Sequence, residues 1–591
     1  MATATQPAIP KGLTMDQCHA IIAKNPVFAL EEKDIRGVKI RVFKNPIQTL
    51  RAVWQASRAH GEHISVVYEN ERYTFNEQNK RVIAIANTLY NIKGARKGDR
   101  VAIAARNLPE WIVCFWAAAS IGCIVVPINA WLTGAELEYC IRDCGAKVLV
   151  CDAERLERLQ PHLAALKELR HVIVCRVPAG ARLQCPANLI SYEDALSASN
   201  GANDVPDVKI DAEDEATIFY TSGTTGRPKG ALGTNRNFTT SLFAGAAGQV
   251  RSFLRRGELP PAPNPSAPKM ATLLAIPLFH ATGCISSLQS STFAGNKIVM
   301  MYKFEALEAL KLIQKEKITG VGGVPFIAWQ ILEHPQRKDF DLSSIVGFGY
   351  GGAPAAVTLA QKISKDFPLA TAANGYGLTE SSALTIGNSG EDYIRKPSSI
   401  GYPTLVNDVR IVGEDGKDCP VNEIGELFIK GPNIVKGYWN MPEATAKTFE
   451  NGWLKTGDLA TIDEEGFVYI KDRAKDMLIR GGENVYCVEV ENALYTHEAI
   501  MDAACVGLPH EVLGEEVAAS VQIKPQYWGK VTEADIQAHM KTKVAGFKVP
   551  VFIDLRQESI IRNANGKIDK KLLRPEVIAA AAKGRKVFVK L

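Results

Sequence analysis

Ala216-Thr217-Ile218-Phe219-Tyr220-Thr221-Ser222-Gly223-Thr224-Thr225-Gly226-Arg227-Pro228-Lys229-Gly230 begins as a β-branched and aromatic run and breaks into a loop. The eleven positions from Tyr220 to Gly230 hold three glycines, four small hydroxyl side chains and two cations. Glycines let backbone amides approach anionic oxygens closely, hydroxyls donate further hydrogen bonds, and Arg227 and Lys229 offset negative charge. This is chemistry for a polyphosphate at the end of a strand. It is not the GxxxxGK[ST] loop of kinases and GTPases, because Gly230 follows Lys229.

Working outward from that loop, the flanking chain alternates short β-rich runs with longer amphipathic ones. Upstream lie VAIAA at 101–105, a helical stretch near 109–120, CIVVPI at 123–128 and KVLVC at 147–151. A second series opens with ATIFY at 216–220 and continues through ATLLAIP, KIVMMY, ITGVGGVP, SIVGFGYGG and TAANGYG. Strand–helix alternation of this kind predicts two doubly wound, mostly parallel α/β subdomains. Beyond about residue 397 the texture changes to short strands broken by turns, as in VRIVGEDGKDCP and EEGFVYIKD, which predicts a small β-rich subdomain. An α+β unit follows Asp472. The uncharged stretch from Trp111 to Ala135 is interrupted by Pro127, Asn129 and Gly134 and reads as a buried helix running into a core strand, not a membrane span. GELPPAPNPSAPK at 257–269 reads as an exposed loop, and no repeat of 20–50 residues is present.

With 591 residues, 46% hydrophobic and 23% charged, the chain is long enough for several packed units of ordinary globular balance. A net charge of +5 is too diffuse to indicate nucleic acid. Its twelve cysteines include no CxxC pair and no zinc-spaced histidines, and Cys140 with Cys144 supplies two ligands where a structural site needs four. They read as reduced thiols of an intracellular, cytoplasmic protein. The first residues lack the apolar core of a secretory signal. The last three, Val589-Lys590-Leu591, share only their final two positions with the peroxisomal Ser-Lys-Leu address. The tail reads as an ordinary basic end, with the peroxisome as the alternative.

Taken with further motifs, YTSGTTGRPKG resembles the signature of the acyl-adenylate-forming superfamily: acyl-CoA synthetases, aryl-CoA ligases, luciferase-like enzymes and peptide-synthetase adenylation domains. The resemblance runs from about residue 50 to 575. Its other carriers are PLFHATG at 277–283, GYGGAP at 349–354, NGYGLTE at 374–380, GELFIKGPNIVKGYW at 425–439, WLKTGDL at 453–459, KDRAKDMLIRGGENVY at 471–486 and NANGKID at 563–569. It implies an N-terminal extension over 1–50, a large ATP- and acyl-binding domain over 51–474, and a smaller mobile α+β C-terminal domain over 475–591.

Residue by residue, the resemblance implies that Thr221, Ser222, Gly223, Thr224, Thr225, Gly226 and Lys229 cradle the phosphates of ATP. Thr379 contacts phosphate and Glu380 holds Mg²⁺, an ion suited by a hard oxygen ligand. Gly351, Gly352, Ala353 and Pro354 wall the adenine site, Tyr376 beside Gly377 stacks on the base, and Asp458 with Arg473 grips the ribose. His280 stands beside the reacting carboxylate. Lys567 comes to the carboxylate and α-phosphate during adenylation, Lys475 is the hinge of the small domain, and Gly481 and Gly482 flank the pantetheine path of coenzyme A. Taken alone, Glu380 would read as a solvated charge, Asp458 as a turn residue and Asn565-Gly566-Lys567 as a surface turn. Asn235 and Ile561 depart from residues common in the family, and the first 50 residues have no clear assignment.

The implied reaction uses ATP, Mg²⁺ and coenzyme A to convert a small carboxylic acid first to acyl-AMP and pyrophosphate, then to acyl-CoA and AMP. IPLFHATG lacks an Asp to pair with an α-ammonium group, which disfavours amino acids. The uncharged segments around His280, Gly349 and Ser381–Ala383 put medium- or long-chain fatty acids first and aryl acids second. Transfer to a carrier protein, and a non-catalytic ATP-binding role, stay open as alternatives. So do peripheral membrane contact and the oligomeric state.

Overall fold

A computed structural model describes residues 11–180, 185, 187–199, 201–221, 227–262, 264 and 268–584. Two large sheets form its body. The first has eight strands in the order Gly437–Tyr438, Lys229–Thr234, Glu215–Thr221, Ile124–Pro127, Arg100–Ala104, Val148–Asp152, His171–Cys175 and Asn188–Ser191. The second has nine: Tyr402–Pro403, Ile386–Ser389, Thr371–Tyr376, Gly347–Gly351, Gly320–Gly323, Ala271–Leu274, Lys297–Met300, Ile64–Tyr68 and Glu71–Thr74. The first is antiparallel only at the rim formed by Glu215–Thr221, Lys229–Thr234 and Gly437–Tyr438 and parallel from there to its other edge, whereas the second is parallel in the middle and antiparallel at both rims. The two subdomains are as expected, but the division of strands differs. Glu215–Thr221, which opens the second sequence series, pairs in parallel with Ile124–Pro127 and so completes the first sheet. The hairpin at 64–74 belongs to the second sheet, beside Lys297–Met300.

The central strands of the first sheet are apolar and buried on both faces, as a covered parallel sheet requires. Val101 to Ala104 and Ile124 to Val126 are all essentially inaccessible. The helix Pro109–Ser120 is buried along its whole length, with proline at its first turn, and Ile124–Pro127 follows it into the core. No helix among the described residues is long and apolar enough to cross a membrane. Cys140 and Cys144 lie inside the core beneath the first sheet.

A five-stranded antiparallel sheet follows at 408–473, as the turn-rich texture predicts. The last unit pairs Leu478–Arg480, Glu483–Val485, Ile500–His510, Gly514–Ile523 and Phe552–Arg556, with helices Cys487–Leu494, Glu533–Lys541 and Lys570–Gly584 packed around them. The smaller C-terminal α+β domain is therefore as expected. Within the first 50 residues, where the sequence supports no assignment, the structure builds a helix, Met15–Ala23, and a hairpin, Leu30–Ile35 with Val38–Phe43. Cys18, Ile22, Phe28 and Phe43 pack on Ala244, Ala247 and Leu254 of the long helix Asn235–Arg255. Arg36 donates to the Ile434 carbonyl at 3.2 Å and Arg41 pairs with Asp408 at 2.6 Å. This segment thus ties the β-rich sheet to the body.

Candidate active site

Thr221, Gly351 and Tyr376, three of the expected site residues, lie at the carboxyl ends of strands in the two large sheets, the usual edge for ligands in open α/β sheets. Thr221 ends one strand and pairs across the hairpin with Lys229, whose ammonium lies 4.9 Å above the Tyr438 ring. Ser222, Gly223, Thr224, Thr225 and Gly226, the centre of the expected phosphate cradle, lie outside the described residues.

Gly351 ends the strand Gly347–Gly351 opposite Gly375. A Cβ on Gly351 would stand 2.2 Å from the Gly375 carbonyl oxygen, so only glycine allows these two strand ends to lie so close. Gly352 follows with φ +74°, and Ala353 and Pro354 continue the same turn. Beyond the neighbouring strand, Gly377 folds so tightly that a Cβ would fall 1.3 Å from the Ala383 oxygen. That turn presents Thr379 and Glu380 on one 3₁₀ turn, Thr379–Ser381. The Glu380 backbone is anchored by Val435 N–H (3.0 Å), and one of its carboxylate oxygens accepts from the Tyr438 hydroxyl at 2.8 Å. Tyr438 belongs to the GYW segment, yet nothing in the sequence marks it as a partner of a residue 58 positions away.

Tyr376 donates its hydroxyl to Asp458 Oδ2 at 2.5 Å. Asp458 is 4% exposed and pairs in register with Arg473, whose Nε stands 3.3 Å from Oδ1. Burial and the adjacent Asp458 carboxylate hold the Tyr376 phenol well above its ordinary range. Lys567 reaches this group from the C-terminal domain. A Cβ on Gly352 would lie 3.5 Å from its Cε and 3.7 Å from its Nζ. Burial and the Arg473 guanidinium lower the Lys567 ammonium to about 8, with Asp458 and Glu380 acting the other way. Burial and Lys567 push the His280 imidazole down to about 3, so it is neutral at physiological pH. His280 Nδ1 accepts from Thr282 N–H at 3.2 Å, which leaves the ring proton on Nε2. The π-helical turns Thr282–Gln289 follow directly.

Lys475 sits in the turn between the strands Val468–Arg473 and Leu478–Arg480, where Ala474 N–H binds the Gly457 carbonyl at 3.1 Å. Gly481 and Gly482 form the two-residue tip of a hairpin with φ +59° and +88°, the conformation such a turn demands. They are exposed.

Among the described residues no group of three or more His, Cys, Asp and Glu side chains forms a protein-only metal site. A lone, partly enclosed carboxylate such as Glu380 fits Mg²⁺, which keeps waters and substrate phosphates for the rest of its shell.

Residues 53–439 match the family described as AMP-binding enzyme, and residues 489–567 match the AMP-binding enzyme C-terminal domain. The feruloyl-CoA synthase of Amycolatopsis sp is 32% identical over 517 residues, covering 87% of this chain and 96% of that protein. The long-chain-fatty-acid–CoA ligase of Bacillus subtilis (strain 168) is 32% identical over 556 residues, covering 90% and 95%. The anthranilate CoA ligase AuaEII, solved in complex with anthranoyl-AMP, superposes with a TM-score of 0.78 at 25% identity, covering 90% of this chain and 98% of that one. On a fold of two doubly wound sheets and a small C-terminal domain, with these motifs gathered at the strand ends, the chain belongs to the AMP-binding enzyme family of AMP-forming acid–thiol ligases.

Proposed function

We propose that this protein is an acyl-CoA synthetase that joins a medium- or long-chain fatty acid to coenzyme A through an acyl-AMP intermediate formed from ATP. The acid class rests on one observation. Gly347, Gly349 and Gly351 alternate along a central strand and so share one face; Gly320 and Gly322 lie beside them on one side, Ala373 and Gly375 on the other. The opposite face of these strands, with Val321, Phe348 and Tyr350, is packed core. The side chains flanking the glycine face are small, Thr371 and Ala373 on one side and Thr272 on the other, and Gly349 is exposed in mid-sheet, where a Cβ would meet nothing within 4 Å among the described residues. The stripe from Gly347 to Gly351 runs about 13 Å along the strand. A smooth floor of that length suits an extended methylene chain. It begins at the strand end where Gly351 and Gly352 meet Lys567 and ends away from it.

In the first half-reaction the acid carboxylate attacks the α-phosphorus of ATP and pyrophosphate leaves. Two anions approach each other, so charge must be offset as it develops. Lys567 supplies an ammonium at that point, the loop at 221–229 supplies amides, hydroxyls and Lys229, and Asp458 with Tyr376 and Arg473 fixes the nucleoside. Mg²⁺ on Glu380 would neutralise phosphate charge when bound. Neutral His280 walls the carboxylate and takes no proton, because the acid is already ionised. The small domain then turns about Lys475, withdrawing Lys567 and bringing Gly481 and Gly482 to the path of the coenzyme A thiol, which attacks the acyl carbonyl and expels AMP.

The feruloyl-CoA synthase among the relatives favours a second reading, an aryl acid lying flat on the same floor. Pyrophosphate release over straight-chain acids and cinnamic-type acids, in wild type and Gly349→Leu, tests the choice. For a fatty-acid enzyme, kcat/KM rises along the series by up to about 1–3 kcal/mol per methylene until the floor ends. Gly349→Leu then depresses long acids and spares short ones. A flat series, or an aryl acid preferred over all straight chains, rejects the fatty-acyl assignment and leaves the ligase class standing.

A further inference from the structure

The loop that carries Lys567 is gripped from both sides of the domain interface. Within the small domain it is a closed turn: Asn563 N–H binds the Lys567 carbonyl at 2.8 Å, and Asn563 Oδ1 accepts from the backbone N–H groups of Asn565 and Lys567 at 3.0 and 3.2 Å. Arg562 Nη1 donates to the Gly566 carbonyl at 2.7 Å, and Nη2 donates to Asp502. Asp502 is itself held by the Tyr495 hydroxyl at 2.7 Å. The guanidinium is therefore fixed before it meets the large domain. There its carbon lies 3.9 Å from the centroid of Phe326. Beside it a Cβ on Gly566 would come within 3.1 Å of Val324 Cγ2. Val324 and Phe326 flank Pro325, the first residue of the helix Pro325–Leu332, which follows directly on the glycine strand Gly320–Gly323.

Arg562 Nε is buried without a hydrogen-bond partner among the described residues. A cation so enclosed gains most from the negative face of an aromatic ring, and Phe326 supplies it. Neither residue is among those gathered around the phosphates or the ribose.

We infer that Arg562 and Phe326 form a latch that positions Lys567, its cation–π contact holding the small domain in the arrangement for acyl-AMP formation. The inference rests on the two-arrangement reading above, since the latch must release before the thiol is admitted. Each half-reaction rate follows the population of its own arrangement. Weakening the latch therefore shifts the ratio of the two rates by the full change in the docking equilibrium, whichever arrangement dominates. A partly desolvated cation–π contact corresponds to a factor of about three to thirty.

The experiment measures acyl-AMP formation without coenzyme A, and thioester formation from supplied acyl-AMP, each in single turnover. Phe326→Leu keeps an apolar side chain and removes the ring face. It is expected to shift the ratio three- to thirtyfold toward thioester formation. Phe326→Tyr, which keeps the face, is expected to restore it, and in an Arg562→Met background Phe326→Leu is expected to shift it no further. An unchanged ratio in Phe326→Leu, an equal loss of both half-reactions, or failure of Tyr to restore the ratio overturns the latch. A wild type that makes no acyl-AMP, or a Lys567→Ala variant that makes it at full rate, overturns the functional reading and the latch with it. The Lys567→Ala control thus separates the two failures.

Discussion

Raising the pH should discharge Lys567 far earlier than an ordinary lysine. Its ammonium is enclosed over Gly352 and faces the Arg473 guanidinium, and burial with that like charge lowers it to about 8 in spite of Asp458 and Glu380. The folded value is depressed, so the charged form is complete well below pH 8 and is lost as the pH rises through it. At pH 9 roughly one molecule in ten keeps the charge, against more than nine in ten for a lysine at about 10.4. The kcat/KM for acyl-AMP formation, which reports the free enzyme, should fall about tenfold per pH unit above 8. Bound ATP places phosphates beside the ammonium and raises its pKa, so kcat should decline at higher pH than kcat/KM. The assay is pyrophosphate release without coenzyme A, whose thiol would titrate near 8.5 and confuse the profile. In Lys567→Arg the guanidinium stays charged throughout, so a slower but level profile from pH 7 to 10 is expected. A wild-type kcat/KM that stays level through pH 9.5, or a decline that persists in Lys567→Arg, would refute the placement of Lys567 as the charge that drives adenylation.

Three substitutions probe other parts of the site. In Lys567→Ala, acyl-AMP formation should fall by about 10²–10³, the scale for losing one preorganised donor, while thioester formation from supplied acyl-AMP persists; equal loss of both, in a folded variant, contradicts the two-arrangement mechanism. Gly377→Ala would place a methyl 1.3 Å from the Ala383 oxygen, so the turn carrying Thr379 and Glu380 must open. Loss of adenylation with a raised Mg²⁺ requirement is expected, and wild-type kinetics would show that the turn has another way to close. Gly482→Leu, at a φ of +88° on an exposed hairpin tip, should slow thioester formation more than acyl-AMP formation; the two half-reactions measured separately decide it, and equal effects count against a role in the thiol path.

Much of this fold is legible in the sequence because local pattern reports what a segment buries. The continuous apolar runs at 101–104 and 124–126 are strands covered on both faces, the uncharged stretch after Trp111 is a core helix followed by a strand, and the change of texture near residue 397 is the β-rich sheet. Phosphate-binding chemistry is equally local: the glycine, hydroxyl and cation content of the 220–230 segment needs no tertiary information, whereas the hairpin at Gly481-Gly482 emerged only in the structure. The family motifs are contiguous and could be recognised in order.

Which segments become neighbours was decided only by the tertiary structure. Closing a loop costs free energy that grows only with the logarithm of its length, so distance along the chain says little about which strands pair. That is why Glu215–Thr221 joins the sheet built from residues 100–191 while the hairpin at 64–74 crosses to the other sheet. The same physics lets Lys567 reach Gly352, Tyr438 reach Glu380 and Arg562 reach Phe326, contacts that no local pattern encodes. The glycines of three separate strands look like scattered turns when read singly. Their in-register alignment, with the opposite face packed as core, is what turns them into one floor with only small side chains at its flanks. Residue type and spacing along the chain determined the elements and the chemistry available; long-range register and packing decided which of those chemistries share a site.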